Sequence, residues 1–147
     1  MGTIFSTDDI RGRATEALTT EYVWNVGKAL AEWLPEEGDI VVVRSPLANE
    51  STFRALTEGI MLQGRNVIDA GEGDMQTVVV AIGDKQAVGG VLVAHQELEK
   101  LEIITLFDAR GVVITDQTGL NTISELVDAG NFVPAAEKGE LKTYVIP

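Results

Sequence analysis

Residues 89–111, GGVLVAHQELEKLEIITLFDARG, hold two apolar runs separated by a polar excursion. Residues 90–93 have the unbroken aliphatic character of a strand buried on both faces, and residues 103–108 read as a second strand closed by a glycine turn. A strand of that kind must be covered above and below, which limits the chain to layered α/β arrangements. A loop leaving the end of a core strand is also where α/β proteins place their chemistry. This one carries the sequence's single histidine, His95, and no obvious nucleophile.

Upstream, the same alternation of strand and helix repeats. Thr19 or Thr20 can cap a helix with Glu21 in its first turn, where the helix dipole favours an anion. Tyr22, Val23, Val26, Ala29, Leu30, Trp33 and Leu34 recur at helical spacing before Pro35 and Gly38 stop the pattern. Residues 39–43 are a β-branched run of buried-strand type. Asn49 then suits the N-cap of a helix with Phe53, Leu56, Ile60 and Met61 inward and Gly64 at its end. Residues 66–70 read as the next strand. Asp69, Glu72 and Asp74 lie close in sequence, but a hard cation wants six or more oxygens at fixed spacing, so a solvated loop is the expectation.

Residues 75–83 are ambiguous, because Val78, Val79, Val80 and Ile82 favour a strand. A helix there would supply the crossover that two parallel strands need. Residues 96–101 could make one helical turn, and residues 112–114 a short strand. Asp116 or Thr118 precedes a helix bearing Leu120, Ile123, Leu126 and Val127 and ending at Gly130. The last stretch, 131–147, ends in a run of strand formers at 141–146, read as an edge strand or the stump of a linker.

Composition narrows the functions. No apolar run approaches the ~20 residues of a spanning helix, and no secretory leader is read at Gly2 to Phe5, so a cytoplasmic protein away from membranes is expected. With no cysteine and one histidine, disulfides and multi-histidine metal sites are excluded within the chain. A formal charge of -12, from 23 acidic and 11 basic residues, repels nucleic acid and anionic lipid.

Several motifs resemble those of the α-D-phosphohexomutases, the phosphomannomutase and phosphoglucomutase family. The family's FxxxDIRG is matched at Phe5, Asp9, Ile10, Arg11 and Gly12. Its LTxExxxxxGxAL is matched at Leu18, Thr19, Glu21, Gly27, Ala29 and Leu30, and residues 64–71 resemble its GxxVxDxG. Its catalytic segment, GGVMITASHNP leading to KLFDxxG, is approached by residues 89–95 and by 106–111. The resemblance implies a three-layer α/β/α domain on a mixed four-stranded sheet, like the first of the family's four domains. Strands are expected near residues 40, 67, 91 and 105, the last antiparallel, with a helix at 75–83. It also implies a single domain over 1–147, with a core of about 1–130.

At the site the pattern is degenerate. The phosphorylated serine is absent, with Ala94 standing in its place if His95 is matched to the family's histidine, and Gln96 if residues are counted from Gly89. Of GRDxR only Arg44 survives, and the family's proton-transfer lysine falls on Thr105. Catalytic residues are therefore expected to be none, with Ala94 and His95 marking the degenerate position. Arg11, Arg44 and His95, with Arg13 beside them, are the candidate sugar-phosphate ligands, and bracing of turns is the competing reading of each. No cofactor is expected, since Mg2+ belongs to an intact phosphohexomutase. The expected role is a noncatalytic stand-alone homologue of the family's N-terminal domain, serving assembly or regulation. The alternatives are sugar-phosphate binding, or a part in mutase activity with the missing domains supplied in trans. The expected partner is a second copy, as in a homodimer, or a full-length phosphohexomutase.

Overall fold

The computed structural model describes residues 4–145; the Gly2 start of the leader reading and the Ile146 end of the strand-forming run lie outside them. In chain order the elements are β1 (Ile10–Gly12), α1 (Thr20–Trp33), β2 (Ile40–Arg44), α2 (Glu50–Leu62), β3 (Val67–Glu72), α3 (Met75–Lys85), β4 (Gly89–Gln96), β5 (Leu101–Asp108), α4 (Leu120–Ala129) and β6 (Leu141–Thr143). They build one sheet in the order β1-β5-β4-β2-β3-β6. β4, β2, β3 and β6 run parallel, β5 is antiparallel to β4, and β1 is antiparallel to β5.

The sheet has six strands where four were expected. The additional two are three-residue edges: β6 lies in the 141–146 run, which is thus an edge strand rather than a linker stump, and β1 is set by the backbone of β5 it lies against. Residues 4 and 5 make no strand of their own but a single bridge, from Phe5 to Ile10. The Ser6 hydroxyl donates to Asp9 Oδ1 at 2.7 Å and turns the chain back, so pairing with β5 begins at Ile10. Likewise residues 112–114 yield one bridge, Val113 to Phe107, because Gly111 at φ 77° reverses the chain tightly.

Strand alternation sorts the core into two layers. Ile40 and Val42 of β2, Val67, Val91, Val93, Ile104 and Leu106 meet α1, α2 and α4. Val41, Val43, Ile68, Leu92 and Phe107 turn the other way, onto Val78, Ala81 and Ile82 of α3. The ambiguous 75–83 stretch is thus a helix. Its buried residues stand three and four apart, and Asp74 and Thr77 close a capping box at its start.

Caps follow local chemistry at the other helices. Thr19 accepts from the Tyr22 N–H, and Asn49 from the Thr52 N–H at 3.1 Å. α4 follows Asp116 and Thr118 as expected; its N-cap is Gly119, and Thr118 Oγ1 accepts from the Thr115 N–H at 2.8 Å instead of from the helix. α1 and α2 cross where Gly27 and Gly59 leave no side chain between their backbones. Arg65 fastens the end of α1 by donating to the carbonyls of Ala31, Leu34 and Glu36 at 2.7, 2.8 and 2.7 Å. The 131–145 segment returns across the molecule, with Phe132 against one core layer and Tyr144 against the other.

Candidate functional site

The polar excursion between β4 and β5 is a tight hairpin rather than a helical turn. The two strands stay paired from Gly89↔Asp108 to Gln96↔Leu101, and Lys100 at φ 59° closes a four-residue turn that a helix could not pass through. Ala94 and Gln96, the two positions for a lost serine, therefore lie within a strand.

His95 and Glu102 face each other across this hairpin. His95 Nδ1 is 2.5 Å from Glu102 Oε2, and Nε2 is 2.8 Å from Glu97 Oε1. The hydrogen bonds to Glu102 and then Glu97 raise the pKa of His95 above its ordinary value. Lys100 bonds to Glu97 on its far side, and that contact together with His95 lowers the Glu97 pKa. Glu102 is 2% exposed, and its second oxygen accepts the Asn49 N–H at 2.7 Å. The Ser45 hydroxyl accepts from the His95 N–H at 3.1 Å, tying the loop after β2 to the end of β4.

Arg11 binds Asp9 through both fork nitrogens, at 2.9 and 2.7 Å. Burial pushes the Asp9 carboxyl up, but the bonds from Arg11 and Ser6 outweigh it and hold the pKa below its usual value. Arg44 stacks 4.2 Å over the Phe53 ring and meets Glu50 at 3.3 Å and Asp69 at 3.8 Å. Arg13 spends its Nε on the Glu99 carbonyl at 3.4 Å.

These four candidates do not converge. Arg11 pairs with Ile103, which pairs with Ala94, and that row faces the α3 side; His95 and Glu102, one residue along, face the opposite side with Val93 and Ile104. Arg44, opposite Val93 in the parallel pairing, shares the His95 side. Asp69, Glu72 and Asp74 form no cation cage, and among the described residues no three His, Asp or Glu side chains are arranged to hold a metal ion.

Sequence reading missed Glu102 and Glu97 as the partners of His95. The signal was present: Glu102 falls on the same alternation as Ile104 and Leu106, so a carboxylate was bound to point into the core.

Residues 2–133 match the family model described as phosphoglucomutase/phosphomannomutase, alpha/beta/alpha domain I. A phosphomannomutase of Escherichia coli is 32% identical over 95% of this chain and 31% of its own length. A phosphomannomutase of Salmonella typhimurium is 28% identical over 92% of this chain and 30% of its own. A phosphoglucosamine mutase of Prochlorococcus marinus is 29% identical over all of this chain and 32% of its own. The chain thus spans just under a third of these relatives. A phosphoglucomutase/phosphomannomutase family protein of Burkholderia thailandensis superposes with a TM-score of 0.80 at 21% identity, over 97% of this chain and 33% of that one.

Proposed function

Because this chain belongs to the phosphoglucomutase/phosphomannomutase family, as its α/β/α domain I, we propose that it is a noncatalytic form of that domain, serving assembly or regulation rather than phosphoryl transfer. The β4–β5 hairpin carries this reading. Phosphoryl exchange through the protein needs a side chain that accepts and returns the group. Residues 94–100 contain no hydroxyl, and strand pairing takes up the backbone where such a loop would stand. Arg11, Arg44 and His95 support the reading, since each already meets a carboxylate of the same chain.

A second reading is sugar-phosphate binding, or a part in phosphomannomutase or phosphoglucomutase activity with other domains supplied in trans. One observation favours it. Ala94 and Arg11 stand in the same row across β4, β5 and β1, so an arginine remains on the face where the serine was lost.

Intact-mass measurement after incubation with glucose 1,6-bisphosphate and Mg2+ tests the first reading. The wild type should gain no phosphoryl group, and a phosphoryl adduct on it overturns the proposal. Ala94→Ser should also stay unmodified, because His95 points to the opposite face with both ring nitrogens engaged and leaves the new hydroxyl without a base. A melting-temperature screen of hexose phosphates separates the readings further. A ligand at about 100 times its Kd adds about 2.7 kcal/mol, so a clear upward shift would favour the second.

A further inference from the structure

We propose that His95, Glu102 and Glu97 form a proton-operated latch that holds the β4–β5 hairpin against the N-terminus of α2. Each ring nitrogen faces a carboxylate oxygen, at 2.5 and 2.8 Å. A neutral imidazole has one N–H and would set its other lone pair against the second carboxylate, whereas an imidazolium donates to both. The inner carboxylate is the structural member. Glu102 is buried, and its free oxygen receives the N–H of Asn49, whose side chain caps α2. Ser45 adds a parallel tie, accepting from the His95 N–H and donating its own N–H to the Val93 carbonyl at 2.9 Å.

The charged groups on the surrounding elements are already engaged. On the hairpin, Lys100 is bound to Glu97, and Gln96 holds the Glu99 side chain and backbone. From β1 and the turn after it, Arg11 is bound to Asp9, and Arg13 reaches Glu99 and Glu16. From the end of β2 and the start of α2, Arg44 and Glu50 bind each other. Among the described residues, Glu102 has no cation within bonding distance except His95. Loss of the His95 proton would leave a buried carboxylate with neutral donors and no counter-charge, an arrangement that folding disfavours.

The direction follows from linkage. The folded-state pKa of His95 lies above its ordinary 6.5. A group raised in this way contributes fully below its unfolded pKa and loses that contribution as pH rises through the folded value. The latch is closed at low pH and released above it, freeing the 45–49 loop and the hairpin end together.

Because the chain has one histidine, NMR can follow the His95 ring without ambiguity, and the Asn49 amide reports the latch by hydrogen exchange in the same sample. The ring should titrate with a midpoint above the ~6.5 of a peptide histidine. Between those two pH values, protection at Asn49 should fall by up to about ten-fold per pH unit, the slope for one linked proton. Glu102→Gln should return the midpoint toward the peptide value. Should that variant not fold, Glu97→Gln, on the exposed side, should lower the midpoint with the fold intact. A wild-type midpoint at or below 6.5, or Asn49 protection that stays flat through the midpoint, overturns the proposal.

Discussion

Two glycine-to-alanine substitutions should move stability in opposite directions. Gly59 and Gly83 both sit inside helices, where alanine is favoured by about 1 kcal/mol over glycine. At Gly83 of α3 a Cβ meets no atom within 4 Å, so Gly83→Ala should collect that gain. At Gly59 of α2 the same Cβ would lie 2.1 Å from the Trp24 carbonyl oxygen, 3.0 Å from its carbon and 3.1 Å from the Lys28 nitrogen. All three are backbone atoms of α1, so no side chain can swing aside and the helices must part. Overpacking of this kind costs roughly 1–3 kcal/mol, and with backbone on both sides we take the upper end, a net loss of about 2 kcal/mol for Gly59→Ala. At about 2–4 °C per kcal/mol for a chain near this size, Gly59→Ala should melt about 4–8 °C lower and Gly83→Ala about 2–4 °C higher. Circular dichroism melts, with urea midpoints as the check, measure both. Equal upward shifts would refute backbone contact at the helix crossing.

Arg65→Met should cost about 2 kcal/mol in urea unfolding, since bonds from a charged donor are worth roughly 1.5–3 kcal/mol and three carbonyls at the end of α1 lose theirs; a loss within error would show that water replaces the guanidinium. Asp9 should contribute to acid stability. Its folded pKa is lowered, so its contribution is present above the unfolded value and lost as pH falls through the folded one. Asp9→Asn should therefore flatten the fall in stability as pH drops below about 4 relative to wild type, and parallel curves for the two proteins would count against the ion pair.

α1, α2 and α4 were legible because their signals are local, whereas the valines of α3 favour a strand by residue type. Thr19 and Asn49 cap through their own side chains, and Gly130 takes the left-handed turn after α4 at φ 63°. Of the two edge strands, β6 falls within the 141–146 run of strand formers that offered an edge strand as one reading, whereas Ile10–Gly12 did not show itself, because it owes its extended form to a backbone partner distant in sequence. Register had the same effect at the site. Arg11 and His95 both belong to motifs that the family resemblance groups together, yet the β1–β5–β4 pairing sends them to opposite faces. The loss of the serine could be read directly, while the continuous ladder across the hairpin depends on how Lys100 turns, a conformational choice that its residue type does not announce.

The helix crossing also bears on how motion travels. At Gly27 and Gly59 the two backbones interlock, with added Cβ atoms falling 2.3 Å from the Leu56 oxygen and 2.1 Å from the Trp24 oxygen. Interlocked rods cannot slide, and a packed interior deforms little under load. Sliding of α2 along α1 is therefore blocked at the crossing, and a load on Asn49, the N-cap of α2, falls on both helices. α4 packs on α1 as well, so the three helices on this face are coupled through α1.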